Sequence, residues 1–369
     1  MTNQLIGRRI KALRQARGLS QDELARMFGF KDRQTVSAME TGVRRVAASE
    51  LLLAMEKLAV PLEYFTDPFR LDGEGLFSWR QMGVPRERLS DYEAMAGRWI
   101  GAYRTLAAQT GRKMPLMRHA LGLTRLSSFE AAMEDGERFV EEFSLGPVPA
   151  LRLAEVMEEE LGILVLMVDA QERISGAACR LPELDAVLIA RGEVAGRRNF
   201  DLAHELFHIL TWDAMPPAHV EEAMDFGGNR VEQLANNFAA AVLMPAAKVR
   251  SFGEWAELDM DALISRLNDV AEELHVTSSA LRWRLVALRK LTRKKARAIP
   301  EAALRNNGRE NSCEGRPPTL FSRKFADVLA TAIDGGHVSV RRAAALVALP
   351  IEGLEELFAA YGVEHAIEL

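Results

Sequence analysis

The residues best equipped for chemistry in this chain lie in one short run, Phe200-Asp201-Leu202-Ala203-His204-Glu205-Leu206-Phe207-His208-Ile209-Leu210. It reads His-Glu-x-x-His inside a helical pattern. Histidines at i and i+4 leave a helix from the same face, so His204 and His208 can share one metal ion, Zn²⁺ being the usual occupant of such a pair. Glu205 stands beside the first ligand. There its carboxylate can take a proton from water activated by the metal without coordinating it. The same five letters also arise by chance on a solvated polar helix face. The flanks Leu202, Ala203, Leu206, Phe207, Ile209 and Leu210 argue otherwise, because they predict a buried helix. Imidazoles and a carboxylate are costly to bury without partners. A metal satisfies all three.

A third protein ligand is needed. A His six residues after the second one would complete one known arrangement, but position 214 is Ala. His219 sits in a turn after Pro216 and Pro217, with Glu221, Glu222 and Asp225 nearby. The better candidate is Glu232, which opens the run Glu232-Gln233-Leu234-Ala235-Asn236-Asn237-Phe238-Ala239-Ala240-Ala241-Val242-Leu243-Met244-Pro245. Small residues Ala235, Ala239 and Val242 give that helix a face able to approach the first one closely. The alternative is an ordinary acid in a first helical turn, where negative charge is favoured.

Arg197–His208, followed by Glu232–Ala239 and Leu243-Met244-Pro245, resembles the ImmA/IrrE family of zinc metallopeptidases. Members show an AHELGH-like motif and a downstream ExxANxFAxxLLMP-like helix. The resemblance covers about residues 90–290. It implies that His204, His208 and Glu232 bind zinc and that Glu205 is the general base. It also implies a mixed α/β, zincin-like domain that cleaves transcriptional repressors, often of the XRE type. Phe207 stands where Gly is frequent and Asp201 where Thr is frequent; neither change touches the ligand set.

A second chemistry is written near the N-terminus. Residues 4–17 pattern as an amphipathic helix closed by Gly18, and Ser20-Gln21-Asp22-Glu23 is a capping box for the next one. Two further short helices are expected, from Asp32 to Gly42 and over Ala48–Leu58. Gly18-Leu19-Ser20-Gln21-Asp22-Glu23-Leu24-Ala25 and Val36-Ser37-Ala38-Met39-Glu40-Thr41-Gly42 resemble the XRE, or lambda-repressor-like, helix-turn-helix family. The resemblance implies that the third helix enters the major groove of double-stranded DNA, which nominates Arg33, Gln34 and Ser37 for base contacts. Gln21, Lys31 and Arg44 are then candidate phosphate contacts. The turn Phe28–Arg33 reads one residue longer than usual, which leaves the register of base contacts open by one. Residues 1–70 hold twelve Lys/Arg against eight Asp/Glu, whereas the whole chain carries a net charge of -5. An anion therefore suits the first part and not the remainder.

The elements that must position these groups follow from composition and punctuation. The chain has 369 residues, enough for two or three domains, with 48% hydrophobic and 27% charged residues. Its two cysteines, Cys179 and Cys313, exclude a disulfide framework and favour a reducing cytoplasm. The N-terminus has no apolar stretch like that of a signal peptide, and no run spans a bilayer. Long helices are expected at about 91–110, 127–144 and 149–161. Strands are expected at 162–169, 174–181 and 185–190. The last of these, just before the motif helix, is placed to hold an extended substrate by backbone pairing. Segments 269–285 and 336–344 look like further helix-turn-helices but read better as helical packing.

The expected fold is mainly α with a small β-sheet, an α+β class. The expected domains are the DNA-binding unit (1–70), a linker (71–90), the peptidase-like domain (91–295), a second linker (296–318) and a C-terminal helical unit (319–369). The leading functional expectation is a homodimeric transcriptional regulator with a zinc endopeptidase that cuts a repressor or its own linkers. Its rivals are a factor whose peptidase-like domain only senses a metal or small ligand, and a zinc hydrolase of non-peptide substrates.

Overall fold

The computed structural model describes residues 2–71, 74–112, 116–222, 229–307 and 317–365. The chain forms two compact units: residues 1–76, 85–113 and 327–369 make one, and residues 77–84 and 114–326 the other.

The first unit begins with five short helices: α1 (Thr2–Ala16), α2 (Gln21–Met27), α3 (Arg33–Glu40), α4 (Ala48–Lys57) and α5 (Leu62–Thr66). The expected Ser20 capping box forms, and Asp32 caps α3 as well. Ser20 accepts from the Glu23 backbone N–H while its own N–H donates to the Glu23 carboxylate, and Asp32 accepts from the Thr35 N–H. Ile6, Ile10, Leu24, Val36, Met39, Leu58 and Phe65 close a small core. Beneath it lies a buried ion pair. Arg14 donates to both oxygens of Glu40, at 2.5 and 3.0 Å, and Gln21 donates to the same carboxylate at 2.9 Å.

The chain then enters the second unit with strand β1 (Leu76–Gln81) and returns to the first with α6 (Arg86–Gln109). Residues 76–81 lie inside the expected linker. Gly73, Gly75 and Gly83 around them read as loop, and Ser78, Arg80 and Gln81 break the apolar pattern, yet five of the strand's six residues are buried.

The second unit continues through α7 (Phe129–Glu142), α8 (Leu153–Glu159), β2 (Leu164–Val168), β3 (Ile174–Arg180), β4 (Asp185–Ala190) and α9 (Ala195–Thr211). It follows with β5 (Val220–Glu222), α10 (Arg230–Leu243), α11 (Ala246–Ser251), α12 (Met260–Glu273), α13 (Ser278–Ala287) and α14 (Arg293–Ala298). The five strands form one mixed sheet in the order β2-β4-β3-β1-β5. β4 runs parallel to β2 and antiparallel to β3, and β1 runs parallel to β5.

Besides β1, two elements of this sheet correct the sequence reading. β5 was not foreseen, being three residues after a Pro-rich turn. β4 is interior, with a strand hydrogen-bonded on each side, so its backbone has no free edge for an extended substrate. At the β2 edge, the Met167 and Phe321 backbones exchange hydrogen bonds of 3.3 and 2.6 Å.

α9 packs on β3 and β4, and α10 packs between α7 and α9. Gly136 of α7 makes the close α7–α10 approach workable, since a Cβ there would sit 2.7 Å from the Phe238 carbonyl oxygen. Arg180 of β3 fixes the far end of α9 by donating to the Ile209 carbonyl at 2.9 Å while pairing with Asp185 and Asp213. In α13, Arg282 and Arg284 are buried, and Arg284 donates to the Met244 carbonyl at the end of α10. That segment is therefore core packing, not a second DNA reader.

The chain ends with α15 (Arg323–Asp334), α16 (Val340–Val347) and α17 (Ile351–Tyr361). Residues 327–369 belong to the first unit, with α16 against α6 and Arg342 paired to Asp67 at 3.0 Å. The C-terminal helices are thus not a separate body. α17 turns Leu354, Leu357 and Phe358 inward and leaves Glu352, Glu355 and Glu356 exposed, which suits water and repels phosphate.

Candidate metal centre and nucleic-acid surface

The apolar run around the His-Glu-x-x-His motif buries the whole second half of α9, from Asp201 to Thr211. His204, Glu205 and His208 are 1%, 2% and 1% exposed, so the imidazoles are committed to protein partners and not to water. Glu232 is in the first turn of α10, whose N-cap Asn229 accepts from the Val231 and Glu232 N–H groups. Packing of α10 on α9 brings its carboxylate to both rings. The Glu232 Oε2–His204 Nε2 and Oε1–His208 Nε2 separations are each 3.2 Å, and the two Nε2 atoms are 3.1 Å apart.

Asn236, one turn beyond Glu232, places its Oδ1 2.9 Å from His204 Nδ1. With Nδ1–H donating to that oxygen, the Nε2 lone pair of His204 points at the other two groups. This is the orientation a metal-binding imidazole takes from an outer partner.

The donor set fits a tetrahedral divalent cation. Bonds of about 2.0–2.2 Å put neighbouring ligand atoms roughly 3.3 Å apart, close to the separations above. Among the described residues, His204, His208 and Glu232 are the one group of this kind that could hold a metal. Of the other candidates for the third position, Glu221 and Glu222 lie on β5 in backbone register with Arg80 and Gln81, the His219 carbonyl accepts from the Trp79 N–H, and Asp225 falls outside the described residues.

Electrostatics follow from burial. Burial pushes the His204 imidazole down to about 3; the Arg80 guanidinium adds to this and Glu232 opposes it. A neutral imidazole is the form that ligates metals. Burial likewise raises the Glu205 carboxyl well above its ordinary value, with Arg80 pulling it down and Glu232 and Asp201 pushing it up. Gly176 on β3 packs against the Glu205 side chain, where an added Cβ would lie in ordinary contact 3.5 Å from Glu205 Cγ.

Three contributors to this site were not foreseen. Asn236 lies inside the Glu232 run, and its i+4 spacing from Glu232 is the signal that marks it. Gly176 and Arg80 gave no signal, since strand register brings them to α9 from distant sequence.

On the first unit, α3 presents Arg33 and Gln34 to solvent, and Lys31 precedes them, also exposed; Ser37 is half-buried. Two phosphate candidates are otherwise engaged. The Gln21 amide donates to Glu40, and Arg44 makes a two-pronged pair with Glu50 at 2.6 and 3.0 Å. Arg45, not selected from the sequence, is the exposed cation beside it.

Residues 10–65 match the helix-turn-helix family model, and residues 158–286 match that of the IrrE N-terminal-like domain. The comparison with curated proteins gives no match. No helix among the described residues is long and apolar enough to cross a membrane. The chain therefore joins an XRE-type helix-turn-helix DNA-binding domain to a metallopeptidase-like domain of the ImmA/IrrE kind.

Proposed function

We propose that this regulator is a cytoplasmic, zinc-dependent endopeptidase that binds operator DNA as a homodimer and cleaves a repressor protein. One observation carries the reading: two imidazoles and a carboxylate converge at 3.1–3.2 Å with a buried carboxyl, Glu205, on the adjacent helix position. His204, His208 and Glu232 would hold the ion, and Arg33, Gln34 and Ser37 would read bases. Zn²⁺ there supplies Lewis acidity, polarising a peptide carbonyl and making water more acidic. Glu205 takes the proton of the attacking water and returns it to the departing amine nitrogen. Asn236 keeps His204 in the ligating tautomer.

The own-chain sites expected in the linker 71–90 are poor substrates, because residues 76–81 are a buried sheet strand. Of the second expected stretch, residues 308–316 fall outside the described residues. A separate XRE-type repressor with an extended segment is the better substrate.

Burial of the site favours a second reading, in which the domain senses a metal without proteolysis. One assay separates the two: zinc-loaded protein is incubated with candidate repressors and fragments are followed by mass. Glu205→Gln should retain zinc and DNA binding and lose cleavage by about 10²–10⁴-fold. Wild-type protein that regulates its reporter but cuts no repressor would establish the sensor reading.

A further inference from the structure

Arg80 is a buried cation that faces the motif half of α9 from the sheet, as Arg180 does at the helix's far end. It lies on β1, is 6% exposed, and its Nε is 3.5 Å from Asp201 Oδ1. Asp201 is one helical turn before Glu205 on α9, so the two carboxylates share a face. Gly176 on the neighbouring strand β3 lies against Glu205. The guanidinium is therefore held beside the general-base position, from an element that contributes no metal ligand.

Its bonding is incomplete. Nε and Nη1 have no hydrogen-bond partner among the described residues. Asp201 also has Arg197 within 4.0 Å, so Arg80 is not its sole counter-ion. A buried guanidinium with idle donors is destabilising, and such groups concentrate where a ligand completes them.

We infer that Arg80 is a substrate-contacting residue of this site, donating its free N–H groups to the scissile carbonyl oxygen of the bound peptide. The inference rests on the peptidase reading above. As water oxygen bonds to the carbonyl carbon, the C=O π pair moves onto oxygen, and the Arg80 donors hold that negative charge. When the C–O double bond re-forms, the C–N bond breaks and the amine nitrogen takes the proton that Glu205 received. A planar guanidinium offers several donors in fixed directions, which an ammonium does not. Donors preorganised toward an oxyanion act most strongly where water is excluded.

The test uses full-length, zinc-loaded protein and a peptide phosphonate, a stable tetrahedral anion. Binding is measured by calorimetry for the wild type, Arg80→Ala, Arg80→Lys and the double variant Arg80→Met/Asp201→Asn. The double variant removes both charges together, so neither is left buried alone. Arg80→Ala and the double variant should keep one zinc per chain and bind the phosphonate about 10²–10³-fold more weakly. Arg80→Lys should recover only part of this. Where peptide is cleaved, the loss should appear in kcat with KM little changed.

Equal phosphonate affinity in the wild type and the double variant, with zinc retained, would reduce Arg80 to a counter-ion of Asp201 and leave the peptidase reading intact. A wild type that holds zinc and phosphonate through Arg80 but cuts no peptide would sink the peptidase reading and keep the anion contact. Zinc-loaded wild type that binds no phosphonate overturns both.

Discussion

At the scale of single residues, the site depends on side chains that hold other side chains. Asn236 is the clearest case: it touches no metal-binding atom, yet its bond to His204 Nδ1 decides which nitrogen carries the lone pair. Asn236→Ala should weaken zinc binding about 10–100-fold while leaving the fold intact. Competition with a chromogenic chelator measures this, and unchanged affinity would remove Asn236 from the site. Away from the centre, Glu158 accepts from the Val165 N–H at 3.2 Å and the Ser322 hydroxyl at 2.7 Å. Burial raises its carboxyl to about 7, against the opposing pull of the Ser322 and Val165 hydrogen bonds and of Lys324. The folded state thus holds this proton more tightly than the unfolded chain does. Stability from this group is fully present below about pH 4.5 and is lost as pH rises from there through 7. The difference is on the order of 3 kcal/mol. Urea denaturation at pH 5 and 8 should show Glu158→Gln gaining on the wild type at the higher pH. A constant difference between the two proteins would contradict the assignment.

At the scale of elements, two helices carry the candidate metal centre and one the proposed DNA surface. α9 can offer two ligands because 3.6 residues per turn align positions four apart. α10 can offer the third because small residues, among them Ala235 and Ala239, are fully buried in its packing. In the first unit, α3 is held by α1 through the Arg14–Glu40 pair, leaving Arg33 and Gln34 outward. Gln34→Ala should shift sequence preference by about 1–3 kcal/mol at one base position. Lys31→Ala should weaken all duplexes alike and flatten the salt dependence. Binding to a randomised operator library across a salt series distinguishes these effects. An unaltered preference in Gln34→Ala would take Gln34 out of the base contacts and count against this reading of the recognition helix.

At the scale of the whole molecule, the DNA-binding helices are anchored by residues beyond the expected domain. Arg9 of α1 is fully buried and donates to the carbonyls of Tyr64, Asp67 and Arg70 at 2.7–2.8 Å, and it also pairs with Glu74. Glu74 in turn holds Arg104 of α6 at 3.0 Å. A fragment of residues 1–70 lacks Glu74 and α6. In the intact chain, Glu74→Ala removes a buried carboxylate that Arg9 and Arg104 both face, which should cost about 3–5 kcal/mol. Thermal melting should place fragment 1–70 below fragment 1–113, and Glu74→Ala should lower the first unit's transition in the full chain. Equal melting of the two fragments would show that residues 1–70 are self-sufficient.

The sequence by itself determined what local periodicity and capping encode. The His-Glu-x-x-His helix, the Glu232 helix, the Ser20 capping box, the helix start near Asp32 and the strands expected at 174–181 and 185–190 were all legible. Each depends on contacts within a few residues or on a repeating apolar pattern. Tertiary structure alone decided what depends on register between distant strands. β1 was hidden because its buried Ser78, Arg80 and Gln81 read as polar loop between glycines, and only the neighbouring strands β3 and β5 give those residues a sheet to join. The same pairing placed Arg80 beside Asp201 and made β4 an interior strand with no free edge. Likewise, no local signal in residues 327–365 announces that they complete the N-terminal unit, because the contact of α16 with α6 joins parts of the chain more than two hundred residues apart.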